Sequence, residues 1–218
     1  MKSTNIKPVS SKLGQPPVCN RNTHQRRWSG AGGKGRALDV HSHYRMNTDH
    51  GHSVGLIMVV GLPGTGKSTF ARALAERTGA VHLNTDVIRQ ELGLRSRYRP
   101  EDKQRVYREL LHRTERALSS GKSAIVDATL YLERLRMPYR ALARKMNCPI
   151  SWIQLQTSPA VVRERLIRPR QYSEADFSVY TRIQRAYEPL ADPHLGLPSD
   201  RLSQEEMVDL ALQYVASV

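Results

Sequence analysis

The chain has 218 residues, 34 Lys and Arg against 20 Asp and Glu, and a formal net charge of +14 at pH 7. That length holds one α/β domain with a buried core and little more, and the basic balance suits polyanionic partners such as nucleotides or nucleic acid. No apolar run approaches the ~20 residues that cross a bilayer, and Cys19 and Cys148 form no metal-ligand or redox spacing, so the expectation is a reduced, cytoplasmic protein with no membrane partner.

About half of the positive excess falls in residues 1–53, which are rich in Ser, Asn, Gly, Pro and His and show no apolar periodicity. This stretch reads as a disordered basic tail, and its pairs His41/His43 and His50/His52 read as solvated residues. Residues 54–218 read as the folded domain.

Val54 to Val60 is an apolar, β-branched run, and Thr69 to Arg77 favours a helix. Between them stands Gly61-Leu62-Pro63-Gly64-Thr65-Gly66-Lys67-Ser68, which fits the G-x-x-x-x-G-K-[ST] phosphate cradle. Strand, glycine loop and helix in this order let successive N–H groups curl around a polyphosphate, with Lys67 reaching the β/γ-phosphates and Ser68 offering a hydroxyl to Mg²⁺. Gly61, Gly64, Thr65, Gly66, Lys67, Ser68 and Thr69 are therefore the candidate nucleotide-binding residues.

Ala80 to Asn84 reads as the second strand, and Asp86 and Arg89 follow it. Asp86 would emerge at the carboxyl ends of the strands, where ligands bind in open α/β sheets. There it can take the proton from an acceptor hydroxyl, while Arg89, three residues along a helix, holds the acceptor's anionic group. The plainer alternative is that Asp86 caps that helix. A long charged helix begins at Pro100 and stops before Gly121. The run from Arg95 through Arg97 to Arg99, around Tyr98, is either a phosphate-backbone grip or an ordinary exposed loop.

Ser123 to Asp127 reads as the third strand, with Asp127 placed to orient Mg²⁺; an apolar strand that ends in Asp by accident is the alternative. A helix over Glu133–Met146 leads to a fourth strand, Ile150 to Leu155. Ser158-Pro159 opens a short helix carrying Arg163, Arg165 and Arg168, read either as an arginine lid over the nucleotide or as a solvated face. Glu174 to Glu188 looks helical, His194 to Leu197 forms a short edge strand, and Ser203-Gln204-Glu205-Glu206 is a capping box for the last helix.

From Leu56 to Val215 these motifs, together with Val126-Asp127-Ala128-Thr129-Leu130 and Glu133-Arg134, resemble the small P-loop kinases. That group includes polynucleotide 5′-hydroxyl kinase, zeta-toxin and chloramphenicol-phosphotransferase domains. The resemblance implies a P-loop NTPase three-layer α/β sandwich with a five-stranded parallel sheet and the phosphate-loop strand central. It further implies Asp86 as general base, Arg89 as a substrate contact and Arg165 or Arg168 as the lid arginine. Thr129 stands where polynucleotide kinases often carry Asn, two residues after the strand-end Asp. The expected activity is ATP- and Mg²⁺-dependent transfer of a phosphoryl group to a hydroxyl, with a small-molecule acceptor favoured over a polynucleotide 5′-end. A regulatory ATPase with no acceptor is the alternative from another class.

Overall fold

A computed structural model describes residues 54–167 and 175–218. The tail 1–53, with Cys19 and its histidine pairs, and Arg168 and Glu174 lie outside the described residues.

Five strands, β1 (Leu56–Val60), β2 (Val81–Asn84), β3 (Ala124–Asp127), β4 (Ile150–Gln156) and β5 (His194–Pro198), form one sheet in the order β2-β3-β1-β4-β5. Every adjacent pair is parallel. The phosphate-loop strand is therefore central, as the resemblance implies, and β5 is an edge, as expected from the sequence. Strand β1 is apolar at every position because a parallel sheet is covered on both faces, and all five of its residues are buried.

Alternation along β1 sorts the core into two layers. Leu56, Met58 and Val60 face α3 (Pro100–Ser119) and α4 (Glu133–Met146), where Val106, Leu110, Leu118, Tyr139 and Leu142 meet them. Ile57 and Val59 face the other way, onto Phe70, Ala71 and Leu74 of α1 (Lys67–Thr78) and Met207, Val208 and Ala211 of α7 (Gln204–Ala216). Helices on both faces of one sheet make the three-layer α/β P-loop sandwich. The chain leaves β1 into α1 on one face and leaves β3 into α4 on the other. Their carboxyl ends thus flank a crevice of the kind in which open α/β sheets bind ligands.

The remaining helices are α2 (Thr85–Glu91), α5 (Pro159–Ile167) and α6 (Phe177–Arg185). Helix α6 is shorter than the expected span from Glu174 to Glu188. Asp176 caps its start by accepting from the Val179 N–H at 2.8 Å, and beyond its end the carbonyls of Glu188 and Pro189 accept hydrogen bonds from Arg136. The capping box forms as read: Glu206 N–H donates to Ser203 Oγ at 3.2 Å, and Ser203 N–H to Glu206 Oε2 at 2.8 Å.

Candidate active site

The glycine loop bridges β1 and α1. Gly61 and Thr65 build it from below rather than line the cleft above. Gly61 has φ +143°, and a Cβ there would lie 2.4 Å from the Leu155 carbonyl oxygen, so only glycine fits. Thr65 is buried, its hydroxyl donating to the Leu62 carbonyl at 2.9 Å and its own carbonyl accepting from Ser199 Oγ at 2.7 Å. Gly64, Gly66, Lys67, Ser68 and Thr69 face the cleft. The Lys67 ammonium donates to the Leu62 carbonyl at 2.9 Å, which holds it over the loop.

Helix α5 sits directly on this loop. At Gly64 a Cβ would meet Val162 at 3.0 Å and Leu166 at 3.2 Å, so the glycine admits the helix as well as bending the chain. That packing aims Arg165 at the cleft, where its guanidinium donates to Ser199 Oγ at 3.0 Å and the Ser199 carbonyl at 2.9 Å, and reaches the Gly64 carbonyl at 3.5 Å. Arg163 turns elsewhere, onto the Phe177 ring 4.4 Å away.

Parallel register sets Asn84 beside Asp127 at the carboxyl ends of β2 and β3. The Asn84 side chain uses all of its hydrogen-bonding groups. Its Nδ2 donates to Asp127 and, at 3.1 Å, to Ser68 Oγ; its Oδ1 accepts from the Asp86 N–H at 2.7 Å and the Val87 N–H at 3.1 Å. Asn84, not Asp86, therefore caps α2, and the cap reading of Asp86 is replaced. Asp86 occupies the first turn of α2 and lines the cleft. His82, two residues before Asn84 and so on the same face of β2, reaches Asp127 at 3.2 Å. Burial pushes the Asp127 carboxyl up, but the His82 hydrogen bond, the Lys67 charge and the Ser68 hydroxyl outweigh it and hold the group below the usual carboxylate range.

His82 was not legible as a site residue, because a polar residue on a short strand looks like any solvated position. The Asn84 signal was present, since Asn immediately before a helix is a favoured cap. Ser68 and Asp127 meet through one amide, and both present oxygen to the cleft. A hydroxyl and an ionised carboxylate fit Mg²⁺, which takes few protein ligands and keeps the rest of its shell for water and phosphate.

Beyond Asp86 the cleft continues between α2, α3 and α6. Arg89 is buried, its Nη1 donating to the Arg97 carbonyl at 2.6 Å and its guanidinium lying 4.5 Å from the centre of the Tyr98 ring. Tyr107 and Tyr131 line the same end. Burial, then Tyr131, pushes the Tyr107 hydroxyl well above its ordinary value, so it stays a neutral donor. Arg97 is committed to the buried Asp102 at 3.1 Å, while Arg95 and Arg99 are exposed. The whole cleft encloses about 1820 Å³. A single drug-sized ligand fills roughly 300–1,000 Å³, so this volume admits two substrates side by side.

Comparison with known proteins agrees with this fold. The profile of a family described as "AAA domain" matches residues 56–190. An uncharacterised protein of Mycobacterium tuberculosis is 32% identical over 148 residues, covering 60% of this chain and 29% of that relative. A protein of Acanthamoeba polyphaga mimivirus, named as a bifunctional polynucleotide phosphatase/kinase, is 34% identical over 92 residues, covering 42% of this chain and 18% of its own length. The chain thus spans less than a third of the curated relatives it matches. Among solved structures, the APS kinase of Mycobacterium tuberculosis in complex with AMPPNP and APS superposes with a TM-score of 0.59 at 18% identity, covering 75% of this chain and 98% of that one.

Proposed function

The chain belongs to the AAA-domain family, with the fold of the small P-loop kinases, and from that premise we propose that residues 54–218 form an ATP- and Mg²⁺-dependent phosphotransferase acting on a small-molecule hydroxyl. One observation carries this reading: Asp86 faces the same continuous cleft as Lys67, Ser68, Arg165 and Asp127, with room beyond it for an acceptor. A nucleotide switch with no acceptor has no use for that second space.

The polyphosphate would lie on the N–H groups of Gly64, Gly66 and Lys67, with Thr69 at the loop's end and Lys67 against the β/γ-oxygens. Mg²⁺, held by Ser68 and Asp127, would neutralise the phosphates as charge moves to the leaving group. Asp86 takes the proton of the acceptor hydroxyl as that oxygen bonds to the γ-phosphorus, the bond to the β,γ-bridging oxygen breaks, and ADP leaves. Arg165 supplies positive charge from the α5 side, where Arg168 was the other lid candidate. Arg89 fixes the acceptor so that the hydroxyl is in line, and such positioning provides most of the acceleration in this chemistry.

A polynucleotide 5′-hydroxyl is the second reading, supported by the mimivirus relative and by Tyr98 beside exposed Arg95 and Arg99. A screen of γ-labelled ATP against sugars, nucleosides, antibiotics and 5′-hydroxyl oligonucleotides tests both. Label in a small alcohol supports the first reading, label at a salt-sensitive oligonucleotide end supports the second, and ATP hydrolysis unaffected by every acceptor overturns both.

A further inference from the structure

Among the cations that line the acceptor end of the cleft, Lys103 and Arg182 belong to no motif. Lys103 rises from the first turns of α3 and Arg182 from the last turn of α6, so two elements far apart in sequence bring positive charge to the space that Arg89 closes from behind. Among the described residues, Arg89, Lys103, Arg134 and Arg182 line this end against the carboxylates of Asp86 and Glu101, with Asp176 outside the lining but within reach of the Arg182 charge. Glu101 is exposed, and the buried carboxylate of α3, Asp102, pairs with Arg97 instead.

Arg134 and Arg182 are exposed, but two features show that the charge of Arg89 and Lys103 is held rather than left to solvent. Arg89 is only 8% exposed, and its Nε has no hydrogen-bond partner among the described residues, although Nη1 is fixed on the Arg97 carbonyl and the plane is fixed on Tyr98. A buried donor without an acceptor is costly and awaits one. Lys103 is half-buried, and burial, then repulsion from Arg182 and Arg89, pulls its ammonium below the ordinary lysine value. An oxyanion between Lys103 and these two arginines would offset the repulsion that Lys103 feels at this end of the cleft.

We infer that the acceptor alcohol carries a second, anionic group, a phosphate or carboxylate, seated between Lys103 and Arg182 with the Arg89 guanidinium behind it. The inference rests on the phosphotransferase reading and narrows its acceptor to oxyanion-bearing alcohols. Arg89 and Tyr98 are preset, while Lys103 and Arg182 reach the anion from opposite walls.

The test is calorimetry on the full chain saturated with Mg²⁺ and AMPPNP, which occupies the γ-phosphate position and leaves only the acceptor end open. Inorganic phosphate and glycerol 3-phosphate should bind, and glycerol should not. Lys103→Gln combined with Arg182→Gln should weaken both anions by more than about tenfold, with AMPPNP affinity and melting temperature unchanged. Lys103→Arg with Arg182→Lys should restore them to within a few fold. Failure of the nucleotide itself to bind would overturn the phosphotransferase reading. Nucleotide binding with no anion binding, or anion binding equal in the double variant, would overturn this inference alone. A 5′-hydroxyl oligonucleotide is titrated in parallel; its binding where glycerol 3-phosphate fails would assign the cations to a nucleic-acid backbone and overturn the small-acceptor form.

Discussion

Asn84 and Asp127 stand side by side across the β2–β3 pair, and the Asn84 amide that donates to Asp127 also donates to Ser68 Oγ and caps α2 through its oxygen. One side chain thereby links the start of the helix that carries Asp86 to the two oxygens proposed to hold Mg²⁺. Asn84→Ala should lower stability by about 1 kcal/mol through the lost cap and also reduce transfer. Asn84→Asp separates the two roles: it keeps the cap oxygen but sets a second carboxylate against Asp127 in place of a donor. Thermal melts should then show most of the cap stability retained while activity stays low; full activity in Asn84→Asp would show that the amide donor is dispensable.

Lys67→Ala should lower turnover by about 10²-fold or more, because its charge serves the phosphates, and its bond to the Leu62 carbonyl at 2.9 Å lies within the loop rather than in the core. Circular dichroism should be unchanged. Turnover at the unsubstituted rate would remove the glycine loop from the mechanism.

Asp86→Asn should slow transfer by about 10²–10⁴, the usual cost of losing a general base, and leave ATP affinity within a few fold. Because Asn84 provides the cap, the melting temperature should barely move. Single-turnover kinetics and calorimetry distinguish this outcome from a structural role, which would lower stability at constant rate.

Arg136 is fully buried and donates to three carbonyls, those of Leu130 at 2.8 Å, Pro189 at 2.9 Å and Glu188, with its guanidinium 5.4 Å from the centre of the Tyr187 ring. It ties α4 to the segment that follows α6. Arg136→Met keeps most of the volume but leaves those carbonyls without their donor, and should cost about 3 kcal/mol or more. Urea denaturation measures it; a loss below about 1 kcal/mol would mean the segment rearranges to satisfy itself.

Asp127 has a folded-state pKa below the ordinary aspartate value of about 3.9. Its ionised form therefore favours the fold above that pH, and the contribution disappears as pH falls through the depressed folded value. Denaturation between about pH 2 and 6 should show an acid-side loss of stability that is shallower in Asp127→Asn. Parallel curves for the two proteins would mean that the His82, Lys67 and Ser68 contacts do not favour the charged form.

The order of elements and the phosphate loop were legible in the chain because they are local. A central strand of a parallel sheet must be apolar throughout, as Leu56 to Val60 is. A glycine at φ +143° beneath a neighbouring carbonyl has no substitute, and Pro100 and Ser203 mark helix starts by their own chemistry. The same locality placed Asp127 at the end of one strand and Asp86 just past the end of its neighbour, and therefore on one edge of the sheet.

What the chain could not declare by itself is which side chains meet across that edge. Asn84 and Asp127 are 43 residues apart and are joined only by strand register; Arg165 and Ser199 are joined only because α5 packs on Gly64. Arg163 and Arg165 look alike in sequence, yet packing sends Arg163 to Phe177 and Arg165 to the loop. Lys103 and Arg182 carried no signal at all, since each is an ordinary helix cation until the fold sets α3 and α6 around one cleft, where burial and the nearby arginines lower the Lys103 ammonium.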